Sequence, residues 1–169
     1  MADKYIKQNA GVLTEVEALV ESAGAGDAGK IPALDNTGKL DESMMPVGIG
    51  ADTTIVYAFE ALGAGDFVNI YNDAGTAKCR LADASTNGKH AHGFVLAAVD
   101  ADANATVYHE GSNTQVTGMT PGDVFLSAAT PGQATSTPPS ATGNVVQKLG
   151  VATSATNIAV EMQPRIVLA

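Results

Sequence analysis

The stretch His92 to Glu110, HGFVLAAVDADANATVYHE, decides the fold class. It holds two apolar runs, Gly93-Phe94-Val95-Leu96-Ala97-Ala98-Val99 and Ala105-Thr106-Val107-Tyr108-His109, separated by the polar turn Asp100-Ala101-Asp102-Ala103-Asn104. A run that never alternates toward water belongs to a sheet covered on both faces or to the wall of a small closed barrel. The two runs are therefore expected to form a core hairpin. Short segments rich in Val, Thr and Ile flank them, broken by Gly, Pro, Asn and Asp about every ten residues, the spacing of an all-β sandwich or barrel.

Working outward, the strand candidates after Ala51 are Thr53 to Glu60, Asp66 to Tyr71, Thr76 to Leu81, the core hairpin, Thr114 to Thr117, Asp123 to Ser127, Gln133 to Thr137, Asn144 to Ala152, Asn157 to Gln163 and Arg165 to Leu168. Turn formers separate them at Asn72-Asp73-Ala74-Gly75, Asn87-Gly88, Thr120-Pro121-Gly122, Thr130-Pro131-Gly132 and Thr142-Gly143. Pro138-Pro139 interrupts pairing and marks a loop. The expectation is one β domain of nine or ten strands over residues 51–169.

Residues 1–50 read differently. Lys4 to Gln8, the turn Asn9-Ala10-Gly11 and Val12 to Val20 suit a hairpin, with Val12, Thr14, Val16, Ala18 and Val20 on one face. An amphipathic helix is the competing reading, since Thr14 and Glu17 have capping-box spacing; the turn tripeptide and the β-branched residues favour the hairpin. SAGAGDAG, residues 22–29, is a connector without a large side chain. Asp35-Asn36-Thr37-Gly38 is a turn, and Glu42 to Met45 suits one helical turn before Pro46. Few large apolar side chains and many breakers make this segment an extended arm that does not form a globule alone. Fixing its backbone costs on the order of 50 kcal/mol or more at about 1 to 2 kcal/mol per residue. Contacts with the β domain, other copies or partners must offset that. Its apolar residues Ile31, Leu34, Leu40, Met44 and Met45 either pack back on the chain's own barrel or dock on another subunit.

Composition narrows the function. The 169 residues can bury roughly 70% of the surface that the unfolded chain exposes. Eighteen acidic residues against nine Lys and Arg give a net charge of −9, which argues against a surface that neutralises nucleic-acid phosphates. No apolar run approaches the roughly 20 residues that span a bilayer, and Met1-Ala2-Asp3-Lys4 lacks the apolar stretch of a signal peptide. Neither nucleic acid nor membrane is expected as a partner. Cys79 is the single cysteine, so no intrachain disulfide forms; on a strand it is a small buried residue, with Lys78 and Arg80 turned to the opposite face.

Candidate chemistry is sparse. His90-Ala91-His92 has a metal-like spacing that His109 or Asp83 would need to complete, and a solvated strand end is the simpler reading. Asp100-x-Asp102-x-Asn104 opens like a calcium loop but has Ala105 where glycine is needed and Gly111 where a bidentate glutamate is needed, so these acids read as turn residues. No glycines form a nucleophile elbow around a serine, and Gly24 to Asp27 and Gly63 to Asp66 match neither a Rossmann nor a P-loop pattern. No enzymatic activity, cofactor or metal is expected.

Four stretches carry a resemblance. GKIPALDNTGKLDESMMP, residues 29–46, resembles a segment that recurs in structural proteins of tailed bacteriophages, both fibres and small head proteins. EALGAGDFVNIY, residues 60–71, then GFVLAAVDADANATVYHEG, residues 93–111, and MTPGDVFLSAATPGQATSTPPSATGNVVQKLGV, residues 119–151, resemble phage capsid decoration (cement) proteins in content and in order. The matching positions are fold-determining Gly, Pro and apolar residues. The resemblance implies a mainly β protein, a single β-barrel or β-tulip with an N-terminal arm, that sits on the outer capsid surface of a virion after assembly in the host cytoplasm. It implies a dimer or trimer that clamps neighbouring major capsid proteins, with Ile31, Leu34, Leu40, Met44 and Met45 at the subunit interface. A head or tail fibre module that binds a receptor or glycan is the alternative, although the chain has no heptads, no long repeats and no Trp. An enzyme acting on the host envelope is a third reading, which would need a converging acid pair or metal.

Overall fold

The computed structural model describes residues 3–45 and 50–169. The chain divides into two compact units, Met1–Gly50 and Ala51–Ala169, each taken by itself below.

In the first unit β1 (Lys4–Asn9) and β2 (Val12–Glu17) form an antiparallel hairpin with Asn9 opposite Val12. The helix alternative for this stretch is not adopted. Ala10 and Gly11 make the two-residue connection with φ of 49° and 85°, the left-handed pair whose twist matches that of the strands. Lys4 pairs with Glu15 across the hairpin. The expected connector contains a short 3-10 turn, Ala25–Asp27, held by the Asp27 carboxylate, which accepts from the Ala23 N–H at 2.7 Å and from the Lys30 ammonium at 2.8 Å. The Asp35 carboxylate accepts from the backbone of Thr37 and Lys39 and so builds the turn expected there. A second 3-10 turn, Glu42–Met44, is capped by Asp41; Pro46, expected to stop it, lies outside the described residues.

The second unit is built on a closed barrel of five strands: β3 (Thr53–Ala58), β4 (Phe67–Asp73), β5 (Thr76–Leu81), β6 (Gly93–Phe94) and β7 (Asn104–Tyr108), in the order β3-β5-β4-β6-β7. The β3–β5 pair is parallel and the others are antiparallel. Five strands enclose little space, and the lumen is filled accordingly: Ala58, Cys79 and Ala105 alternate with Val56, Val68, Val95, Val107 and Leu62, all buried. Gly93 is obligatory at the closure, because a Cβ there would lie 2.7 Å from the Tyr108 carbonyl oxygen. Ala74 and Gly75, with φ of 50° and 94°, repeat between β4 and β5 the turn device of the first hairpin.

A second sheet has the order β10-β9-β12-β13-β8, from β8 (Gly111–Asn113), β9 (Gly122–Leu126), β10 (Ala134–Thr135), β12 (Lys148–Ser154) and β13 (Asn157–Val160). A small ribbon pairs β11 (Val145–Val146) with β14 (Ile166–Val167). Phe67 and Phe94, on the outside of the barrel, pack with Val124, Leu126, Leu149 and Ile158 of the second sheet, so one core joins barrel and sheet. Asp66 clamps the same junction by accepting from the Gly63 N–H and from the Gln133 amide.

Several sequence expectations need correction. The core hairpin is not a continuous ladder: β6 meets β7 only at Phe94 and Tyr108, while β7 pairs along its whole length with β3. The chain from Val95 to Val99 instead bonds to residues 62–66, through Gly65 N–H to Val95 O, Val95 N–H to Asp66 O and the Leu62–Val99 bridge, leaving Ala97 and Ala98 exposed. Thr114 to Thr117 is not a strand. The strand is Gly111–Asn113, and it ends because buried Asn113 donates to the Gly65 carbonyl and accepts from the Gln115 N–H, turning the chain. Asn144 to Ala152 is split at Gln147, whose side chain bonds both backbone groups of Ala91. With several ladders only two residues long, the unit has twelve strands rather than nine or ten.

Candidate interaction surfaces

The residues expected to dock on another subunit all lie in the first unit. Ile31 (50% exposed), Leu34 (56%), Leu40 (45%) and Met45 (41%) present their side chains to solvent. Met44 does not: it is half-buried and lines a hollow of about 290 Å³ with Leu19, Asp27, Lys30 and Pro32. Ile6, Val12, Leu13 and Val20 are also exposed; the sequence places Val12 and Val20 on one hairpin face but marks none of the four as a docking residue. They belong to the strands and turns of the same unit, in which no residue from 3 to 45 is fully buried. Backbone bonds such as Leu19 N–H to Ile31 O and Ala33 N–H to Leu19 O hold this unit together.

Cys79 faces the barrel lumen, fully buried, and desolvation pushes its thiol above the ordinary value. Lys78 and Arg80 point outward from the same strand, as their alternation requires. Asp100 and Asp102 are exposed turn residues, Asp102 with φ of 64°, and Ala103 N–H closes the turn on the Asp100 carbonyl. Among the described residues, no three His, Cys, Asp or Glu side chains converge as metal ligands. The Leu96 to Asp100 segment, Asn104, Thr106 and Tyr108 line an open hollow of about 400 Å³.

The three histidines do come together, but as hydrogen-bonding elements of the wall. His90 and His92 stand edge to face with centroids 4.3 Å apart. His92 Nδ1 accepts from the Ile70 N–H at 2.9 Å. His109 Nδ1 donates to the His92 carbonyl at 3.0 Å, and its Nε2 lies 2.9 Å from the Thr54 hydroxyl. Arg165 donates to His90 Nε2 at 3.0 Å, so Nδ1 carries the proton of a neutral ring. Desolvation first, then His92 and Arg165, hold the His90 imidazole down to about 4; desolvation, Arg165 and His109 lower that of His92.

Both folded values lie below the unfolded value, so the unfolded chain binds more protons, and this stability is complete above about pH 6.5 and is lost as pH falls toward 4. Asp66 acts in the opposite sense, because burial raises its carboxyl. Unfolding in urea at pH 7 and at pH 4.5 is expected to show an acid loss of about 1 to 2 kcal/mol, discounted for partial exposure, that shrinks in His90→Gln. An unchanged difference in that variant would remove His90 from the account.

On the outer barrel wall, Tyr57 of β3, Lys78 of β5 and Tyr71 of β4 stand side by side in register. The Lys78 ammonium lies 5.7 Å from the Tyr57 ring and 5.9 Å from the Phe59 ring, and Phe59 meets Tyr71 edge-on. The Arg80 guanidinium lies over Tyr71 at 4.3 Å. Ile55 and Phe59, 71% and 55% exposed, continue this wall. The sequence shows the strand alternation that turns these residues outward, but not that strands so far apart in the chain adjoin.

No family model matches the chain, and no curated protein or solved structure matches it.

Proposed function

We propose that this chain is a structural virion protein that decorates the outer surface of a tailed-phage capsid, clamping neighbouring major capsid proteins and assembling as a dimer or trimer. The observation that carries the reading is the first unit, ordered by backbone bonds, with no fully buried residue from 3 to 45 and with Ile31, Leu34, Leu40 and Met45 exposed. A two-stranded hairpin alone is marginal in water. Such a unit gains its stability where its apolar side chains are covered; residues 29–46 resemble phage fibres as well as small head proteins, and the resemblance of residues 60–71, 93–111 and 119–151 to capsid decoration proteins supports a capsid as the cover. The acidic balance of the chain suits an outward position away from packaged DNA. Full burial of a Leu, Ile or Met side chain contributes about 1.5 to 3 kcal/mol. Several such contacts, less the cost of ordering, give a modest affinity that repetition over many capsid sites turns into shell stability.

Co-sedimentation with capsid shells that lack the protein tests this. The full chain is expected to bind saturably, and Leu34→Ser/Leu40→Ser is expected to bind about 100-fold more weakly, from roughly 3 kcal/mol of lost burial. Equal binding by the two proteins would move the anchor away from these leucines. Absence of binding by the full chain, with retention on host cells, would replace the capsid reading by a receptor-binding fibre module.

A further inference from the structure

We propose that the outer barrel wall around Arg80 is a second docking surface, which takes a carboxylate side chain of a protein partner. Arg80 is built for such a ligand. Its Nε–H donates at 3.1 Å to Asn69 Oδ1, one Nη reaches the Gly88 carbonyl at 3.5 Å, and the plane rests on Tyr71. Asn69 is only 1% exposed, and its amide also donates to the His90 carbonyl at 2.7 Å, so one buried side chain fixes both the guanidinium and the loop beside it. The remaining Nη–H donors are left for an outside acceptor, and a guanidinium held in plane offers them as a fork that matches a carboxylate.

The charges around it point the same way. In residues 51–169 the basic side chains are Lys78, Arg80, Lys89, Lys148 and Arg165. Lys78 pairs with Asp73 at 2.6 Å and Lys148 with Asp123 at 2.7 Å. Arg80, Lys89 and Arg165 have no carboxylate partner among the described residues, although the chain carries a net charge of −9. Two of them touch the same loop, Arg80 at the Gly88 carbonyl and Arg165 at His90, and Lys89 lies between those two loop residues in sequence. Two guanidinium groups without a carboxylate partner, held on one loop of an acidic chain, leave a local positive field that an incoming anion neutralises.

The chemistry around the fork selects the class of anion. A polyanion such as nucleic acid is opposed by the overall charge. The wall beside the fork carries exposed Ile55 and Phe59 with Tyr57, the aromatic and arginine mixture of a protein interface centre.

The test uses the full-length 15N-labelled protein and blocked peptides Ac-Leu-Glu-Leu-amide and Ac-Leu-Gln-Leu-amide, with inorganic phosphate and glucuronate as competing anions. Titration with the Glu peptide is expected to move the Arg80 Nε–H and the amides of Gly88, Lys89 and Tyr71 saturably, with at least tenfold weaker binding of the Gln peptide. Arg80→Gln and Arg80→Lys, checked for an unchanged melting temperature, are expected to abolish those shifts, and Arg165→Gln to weaken binding several-fold. Equal response to the two peptides, tighter binding of phosphate or glucuronate, no response to any probe, or full retention in Arg80→Lys and Arg165→Gln would each overturn the proposal.

Discussion

Gly150→Ala is expected to destabilise the β domain by about 4 kcal/mol or more, among the largest effects of a single substitution. Gly150 is buried at the centre of β12, opposite Val124 of β9 on one side and Val160 of β13 on the other. A Cβ at this position would sit well inside van der Waals contact of the Ala159 carbonyl oxygen, and 3.0 Å from the Glu161 nitrogen. Both are backbone atoms, so no side-chain rotation relieves the overlap, and the strand pair must part. The φ of 151° adds a conformation that L side chains rarely adopt. In a thermal melt followed by far-UV circular dichroism, the midpoint should fall by roughly 10 °C or more. A shift of only a few degrees would mean that β12 and β13 slide apart at little cost, and that the sheet is less tightly registered than its ladder indicates.

Phe67→Ala is expected to cost about 3 to 5 kcal/mol and to weaken the union of barrel and sheet. Phe67 begins β4, but its ring points away from the lumen; it is fully buried, with the Phe94 ring 6.1 Å away and Leu126, Leu149 and Ile158 in the same cluster. Removing it empties the contact between the two layers, whereas a lumen residue such as Val68 would disturb the barrel alone. Urea unfolding checks both parts. The midpoint should fall, and near-UV and far-UV signals should cease to coincide if the two layers then open separately. A loss below about 1 kcal/mol would show that the layers are joined chiefly by backbone bonds such as Phe67 N–H to Gly132 O and Gly132 N–H to Ala82 O.

Much of this architecture is legible in the residues. Local chemistry placed Ala10-Gly11 and Ala74-Gly75 in turns, because left-handed pairs need glycine or small residues and the flanking β-branched runs need a reversal. The alternation Lys78-Cys79-Arg80 told correctly which side chain is inside. The apolar positions Ile31, Leu34, Leu40 and Met45 were recognisable as side chains in a segment rich in breakers, and they are exposed. Met44 was not distinguishable from Met45, since only the capped turn at Glu42–Met44 directs one of them inward.

What stayed hidden depends on partners distant in sequence. Val95 to Val99 reads as a hairpin arm, but the choice between pairing with residues 105–109 and with residues 62–66 is made by Asp66 and Gly65, about thirty residues earlier. Gln147 looks like an ordinary strand residue until Ala91 offers it two backbone groups at 2.8 and 3.0 Å. The Arg80 fork requires Asn69, Tyr71 and Gly88, which only the β4–β5 register and the returning 88–92 loop bring to it. The sequence by itself determined the β class, the turns, the strand faces and the apolar character of the N-terminal segment, because these follow from the conformational preferences and alternation of neighbouring residues. Tertiary structure alone decided which strands adjoin, where the barrel closes and which cations gather, because those outcomes depend on satisfying buried backbone groups and filling volume between segments that share no local signal.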